Sequence, residues 1–173
     1  GVMRCKAIAV PLDAQSTKKE IEYVINDCRP DIVFISEDKL GMFSDLELQG
    51  ARLMTKNDVV LSDDPNIPAT DIPMGKDDET MLINYTSGTT GNPKGVMLSF
   101  RNVMFNVDSV SKQVPIFQED SNVMVLLPLH HILPLLGSMV APLYMGGTLH
   151  IAEAMNAESI IKTLNAGKVS III

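Results

Sequence analysis

"LINYTSGTTGNPKGVMLS", residues 82–99, places a loop of hydroxyls and glycines between two short apolar runs and closes it with a lysine. Met81 to Tyr85 on one side and Val96, Met97 and Leu98 on the other have strand composition, so the loop is expected to join two strands. Gly88 and Gly91 let the backbone take positive φ and bring its N–H groups close to a ligand with no side chain in the way. Thr86, Ser87, Thr89 and Thr90 add four hydroxyls, Pro93 stiffens the approach, and Lys94 supplies a positive charge on a flexible stem. Such a donor set suits a di- or triphosphate, because an ammonium and several convergent donors offset the ligand's charge. On Gly, Ser and Thr content alone, a surface hairpin loop of turn-forming residues is the better account of the segment, and it is the order of residues that favours a phosphate.

Two familiar motifs are excluded by the order of residues. A Walker A loop needs Gly-Lys-Ser/Thr opening a helix, whereas here Gly88 is followed by Gly91 and Lys94 by Gly95. A Gly-x-Ser-x-Gly nucleophile elbow is also missing around Ser87, so a hydrolase nucleophile there is unsupported.

Working outward, Ser99 can cap a helix whose apolar face is Phe100, Val103, Val107 and Val110. Beyond it the pattern predicts a strand over residues 123–127, a core helix after Pro134, a strand over 148–151, a helix over 156–166 closed by Gly167, and a strand in Val169-Ser170-Ile171-Ile172-Ile173. Towards the N-terminus, Thr17 and Glu20 have capping-box spacing and precede Ile21, Val24, Ile25 and Cys28 on one helix face. Ile32-Val33-Phe34-Ile35 reads as a buried strand, and Ala7-Ile8-Ala9-Val10, ended by Pro11, as its partner in a parallel β-α-β unit. Residues 62–79, "SDDPNIPATDIPMGKDDE", are rich in Pro and Asp without periodicity and read as a linker between pieces 1–61 and 80–173. Alternating strands and helices make the fold class α/β.

Composition narrows the function. The 173 residues are 46% apolar, enough for the core of a modest domain. Lys+Arg 14 against Asp+Glu 21 gives a net charge of -7 with the acids scattered, so nucleic acid is not an expected partner. Cys5 and Cys28 are too few for a disulfide framework and suit small buried hydrophobes of a reduced compartment, which points to the cytoplasm. No Asp, Glu, Lys or Arg occurs between Asp120 and Glu153, a span long enough for a bilayer. Pro128, Pro134, Pro142, the His130-His131 pair and Gly137, Gly146 and Gly147 would interrupt a transmembrane helix repeatedly, whereas a strand, a turn and a short core helix use them.

Residues 82–99 resemble the phosphate-binding motif of the AMP-forming adenylating enzymes, the superfamily of acyl-CoA synthetases, luciferases and peptide-synthetase adenylation domains. The resemblance extends along nearly the whole chain. "GVMRCKAIAVPLD", residues 1–13, is similar to the family's segment before an early strand; "LLPLHHILPLLG", residues 126–137, resembles its next motif; and "YMGGTLHIAE", residues 144–153, looks like the strand that follows. It implies layered sheet-and-helix subdomains of an adenylate-forming enzyme's N-terminal domain, incomplete at its C-terminal end. It also implies a two-step ligase: a carboxylate attacks the α-phosphate of ATP to give an acyl-adenylate and pyrophosphate, and the thiol of coenzyme A then displaces AMP.

Carried onto this chain, the resemblance assigns Thr86, Ser87, Gly88, Thr89, Thr90, Gly91 and Lys94 to the β- and γ-phosphates, where charge accumulates on the leaving pyrophosphate. It places His131 at the wall between nucleotide and acyl pocket, near the reacting carboxylate, with His130 beside it at a variable position. On the residues alone, a polar turn between a strand and a core helix, with one histidine satisfied by backbone, is the better account, and it is the motif that favours a pocket role. A zinc site is not expected, since His130, His131, His150 and the two cysteines show no metal-ligand spacing. Leu133, Leu135, Leu136, Met139, Val140, Leu143 and Met145 read as a core helix, part of which could line an acyl tunnel. The "LPLHH" form is closer to fatty-acyl or aryl-acid CoA ligases than to amino-acid adenylation domains, so a fatty acid is the expected substrate, with ATP, Mg2+ and coenzyme A as cofactors. A peripheral membrane contact of the full-length protein stays open.

The family's glutamate of the adenine- and magnesium-binding motif, its ribose-binding aspartate and its C-terminal adenylation lysine would follow Ile173. The main catalytic residues are therefore expected outside this chain, which by itself should be inactive. A stand-alone nucleotide- or polyphosphate-binding module is the alternative from a different class, and an aryl- or amino-acid adenylating enzyme the alternative within it.

Overall fold

The computed structural model describes residues 2, 6–59, 76–86, 93–113 and 116–173. Cys5, most of the expected linker, and Ser87, Gly88, Thr89, Thr90 and Gly91 lie outside the described residues. The chain divides into two compact units, Ala14–Asp71 and a second formed by Gly1–Asp13 with Ile72–Ile173. The first thirteen residues thus cluster with the C-terminal stretch, where the sequence had grouped them with residues 14–61.

In the unit Ala14–Asp71, helix α1 (Lys18–Cys28) starts where Thr17 caps it. The Thr17 hydroxyl accepts the Glu20 N–H at 3.4 Å, and the Glu20 carboxylate accepts the Thr17 N–H at 2.8 Å, so two orphan donors of the first turn are satisfied reciprocally. Thr17→Ala removes one of these and is expected to lower stability by about 1 kcal/mol, read as a lower urea midpoint at constant slope. The inward stripe of α1 supplies Ile21 and Ile25, which pack with Phe43 and Leu46. Strand β1 (Ile32–Phe34) pairs in parallel with β2 (Arg52–Met54), and helix α2 (Leu40–Phe43) lies between them in sequence.

Two expectations for this region are corrected. Residues 32–34 of the run 32–35 form the strand, which is not fully buried: Ile32 and Phe34 are 56% and 59% exposed, while Val33 and, just past the strand, Ile35 pack on the core. A strand covered on one face needs apolar residues only at alternate positions, so an unbroken apolar run does not prove burial on both. The partner of β1 is β2 and not residues 7–10. Ala9 instead donates its N–H to the Met81 carbonyl and accepts from the Ile83 N–H, both at 2.9 Å, so both of its backbone polar groups are already engaged.

In the second unit, β3 (Thr80–Thr86) and β4 (Lys94–Ser99) form the expected antiparallel hairpin, with Ala9 bridging the other side of β3. Helix α3 (Phe100–Gln113) follows β4 without a break. Ser99 accepts the Asn102 N–H at 3.2 Å and gives its own N–H to the Asn102 side chain at 3.0 Å, a reciprocal cap. Strand β5 (Asn122–Val125) is the centre of a parallel sheet, between β6 (Thr148–Ile151) and β7 (Ile171–Ile172). It ends before Leu127, two residues short of the expected limit.

Between β5 and β6 the chain runs through α4 (Ile132–Pro134), a π-helical stretch (Leu135–Val140) and α5 (Ala141–Tyr144). The widened stretch has a cause in Pro142, which offers no N–H to the Ser138 carbonyl and whose ring would crowd it; the Ala141 N–H reaches back to Leu136 instead. Helix α6 (Ala157–Ala166), capped by the Asn156 side chain on the Ser159 N–H at 2.9 Å, connects β6 to β7. Met81, Leu82, Val103, Val107, Phe117, Val123, Leu135 and Ala141 make one core joining hairpin, α3, sheet and helical crossover. No described helix is long and apolar enough to cross a membrane, and the uncharged span 121–152 is instead divided among β5, the crossover and β6.

Candidate functional site

The hairpin end is where the sequence placed its phosphate loop, and the described residues settle how that loop is mounted. Thr86 and Lys94 are the closing pair of the β3–β4 ladder, directly opposite one another. Cross-strand partners project to the same face, so the side chains of Thr86 and Lys94 leave the hairpin side by side, and both residues are exposed. An ammonium and a hydroxyl at the mouth of a loop are suited to an anion with several oxygens.

One pair further in, Tyr85 faces Gly95. A Cβ added at Gly95 would lie 2.9 Å from Ile83 Cγ2 and 3.1 Å from Tyr85 Cζ, so these two side chains close over the glycine. Gly95→Ala must displace them and is expected to cost about 1–3 kcal/mol, less in an Ile83→Ala background; denaturant midpoints of the four variants would check this.

Asn84 is the next residue on the face that carries Thr86, and it is 6% exposed in a strand otherwise flanked by apolar residues. Its side-chain N–H donates to the His130 carbonyl at 2.7 Å. This bond brings the turn between β5 and α4 onto the strand that feeds the loop, about 7 Å along it from Thr86 by the strand rise. His130 is tucked in at 18% side-chain exposure, with the Asp13 carboxylate 3.9 Å from its Nε2. His131 is exposed, and its ring centroid lies 4.0 Å from that of His130. The His131 N–H donates to Pro128 at 3.2 Å, and its carbonyl accepts the Leu135 N–H at 3.0 Å, so the residue begins helix α4.

The expected site residues therefore separate into those the fold brings together and those outside the described residues. Thr86 and Lys94 are paired, and the His130-His131 turn is tied to the same strand. Asn84 and Asp13 were not singled out from the sequence. A polar residue at an inward position of "MLINY" was a usable signal for Asn84, since a buried amide needs a partner. Nothing local pointed to Asp13. Leu135 belongs to the core, while Leu133 and Leu143 are 69% and 54% exposed, so the expected core helix is buried on one side only.

The remaining features are structural. His150 Nε2 lies 2.9 Å from the Asn122 side-chain oxygen, and its ring fills the space a Cβ at Gly167 would need. A cleft of about 450 Å3 in the unit Ala14–Asp71 is lined by Phe34, Ile35, Ser36, Glu37, Asp38 and Lys56. Among the described residues no group of three or more His, Cys, Asp or Glu could hold a metal ion.

The family described as AMP-binding enzyme matches residues 1–173. The sulfoacetate–CoA ligase of Cupriavidus necator is 31% identical over 92% of this chain, which covers 32% of that protein. The mitochondrial malonate–CoA ligase of Homo sapiens is 30% identical over 82% of the chain, covering 25% of its length. The inhibitor-bound N-terminal domain of FACL13 from Mycobacterium tuberculosis superposes with a TM-score of 0.80 at 21% identity, over 98% of this chain and 44% of that one. The chain thus spans about a third or less of the curated ligases it matches.

Proposed function

The chain belongs to the AMP-binding enzyme family, and from that premise we propose that it is part of the N-terminal domain of an ATP-dependent, AMP-forming acid–CoA ligase. The observation that carries this reading is the closing pair of the hairpin. Thr86 and Lys94 flank the loop on one exposed face, where they can hold the polyphosphate of ATP and stabilise charge on the leaving pyrophosphate. Ser87, Gly88, Thr89, Thr90 and Gly91 complete that loop on the strength of the motif. The turn bearing His130 and His131 supplies the side facing the carboxylate, since Asn84 ties it to the same strand.

The donor set at the hairpin end suits ATP. No described cluster suits Mg2+, so no residue of this chain is assigned to the cation, and none to coenzyme A. A fatty acid is the first substrate class proposed, supported by the exposed apolar side chain of Leu133, two residues after His131, and by that of Leu143 further along the same crossover. A short dianionic acid is the second, favoured by the sulfoacetate and malonate named for two relatives.

Acid-dependent ATP–pyrophosphate exchange by the full-length protein tests both. Short diacids, medium- and long-chain fatty acids, aryl acids and amino acids would be compared. Exchange with fatty acids supports the first class and with diacids only the second, whereas none with any acid removes the ligase reading.

A further inference from the structure

We infer that Asn84 is a positioning residue that sets His131, through the His130 backbone, relative to the phosphate loop; the role in catalysis rests on the function proposed above. The buried side-chain amide of Asn84 donates to the His130 carbonyl, 46 residues away in sequence. A buried amide in an apolar strand is retained at a cost unless its bonds are made, so this contact fixes where the turn sits.

The turn itself is built to pass that position on. The His130 ring is held at 18% exposure, with the Asp13 carboxylate 3.9 Å from its Nε2 and the His131 ring, tilted by 48°, 4.0 Å from its centroid. The backbone of His131 is clamped by Pro128 and Leu135. The His130 carbonyl and the His131 N–H belong to one peptide unit, so a shift of that carbonyl displaces the backbone that carries the His131 ring. On β3 the same strand continues two residues from Asn84 to Thr86, so one rigid element carries the loop and anchors the histidine turn. Reactions between two bound groups are sensitive to misplacement on the ångström scale, which gives a single buried amide leverage over the rate.

The test is a double-mutant cycle on the full-length enzyme. Asn84→Leu keeps the size of the side chain and removes the donor. It is expected to lower kcat/KM for the acid about tenfold, leaving KM for ATP within about twofold, while Asn84→Leu in a His131→Ala background adds nothing further. A tenfold loss repeated in both backgrounds, or no loss in either, overturns the role. A second measurement does not depend on turnover: the imidazole resonances of His131 should shift in Asn84→Leu and stay put in the surface control Asn106→Leu. Unchanged His131 resonances overturn the inference, whereas a wild type without exchange for any acid overturns the ligase reading and leaves the resonance test to decide this one.

Discussion

Lys94→Met is expected to lower ATP–pyrophosphate exchange by the full-length enzyme about 10²- to 10³-fold, with the loss in kcat and little change in KM for the acid. The side chain stands exposed at the first position of β4, across from Thr86 and at the exit of the loop. On the function proposed above, its ammonium would face the polyphosphate of ATP, and its stabilisation would grow as the leaving pyrophosphate gains charge. Nothing in the core depends on it, so the urea midpoint should move by no more than about 0.5 kcal/mol equivalent. A kcat within threefold of wild type would remove Lys94 from the phosphate site.

Phe117→Ala should be the most damaging core truncation. Phe117 is 2% exposed and is the largest fully buried side chain described; it sits in the cluster that also holds Leu82, Val103 and Val107. Losing its ring leaves a cavity where hairpin, α3 and sheet meet, at a cost of about 3–5 kcal/mol. Against a typical total stability of about 5–15 kcal/mol, that removes from about a fifth of the stability to all of it. Phe105→Ala is the matched control: the same chemistry on the outer face of α3, 70% exposed, with an expected change of about 0.5 kcal/mol or less. Thermal unfolding of the two variants beside wild type separates them; equal shifts would mean that the core is wrongly placed.

The features legible in the sequence are those whose causes lie close along the chain. The capping box of Thr17 and Glu20 spans three residues, and so does the reciprocal cap of Ser99 and Asn102. The hairpin followed from two strand-like runs around a glycine-rich loop. The apolar faces of α1 and α3 followed from helical periodicity, and Val103 and Val107 are buried as that predicts.

Long-range pairing was less legible. Residues 7–10 and 32–35 both look like strands, and composition could not say which partner each takes. Ala9 joins β3, more than seventy positions on, because strand pairing depends on a free sheet edge and not on proximity in sequence.

By itself the sequence determined the hairpin that presents Thr86 and Lys94 at its open end and the α/β alternation, because strand-like runs, glycine freedom and periodicity are properties of neighbouring residues, and the resemblance of residues 82–99 pointed to the family. The tertiary structure alone decided that Asn84 holds the His130 carbonyl, that Asp13 lies beside His130, and that Ile32 and Phe34 are left uncovered. Each of these joins or exposes groups through the closure of long loops, whose outcome is set by packing of the whole chain and is written in no local pattern.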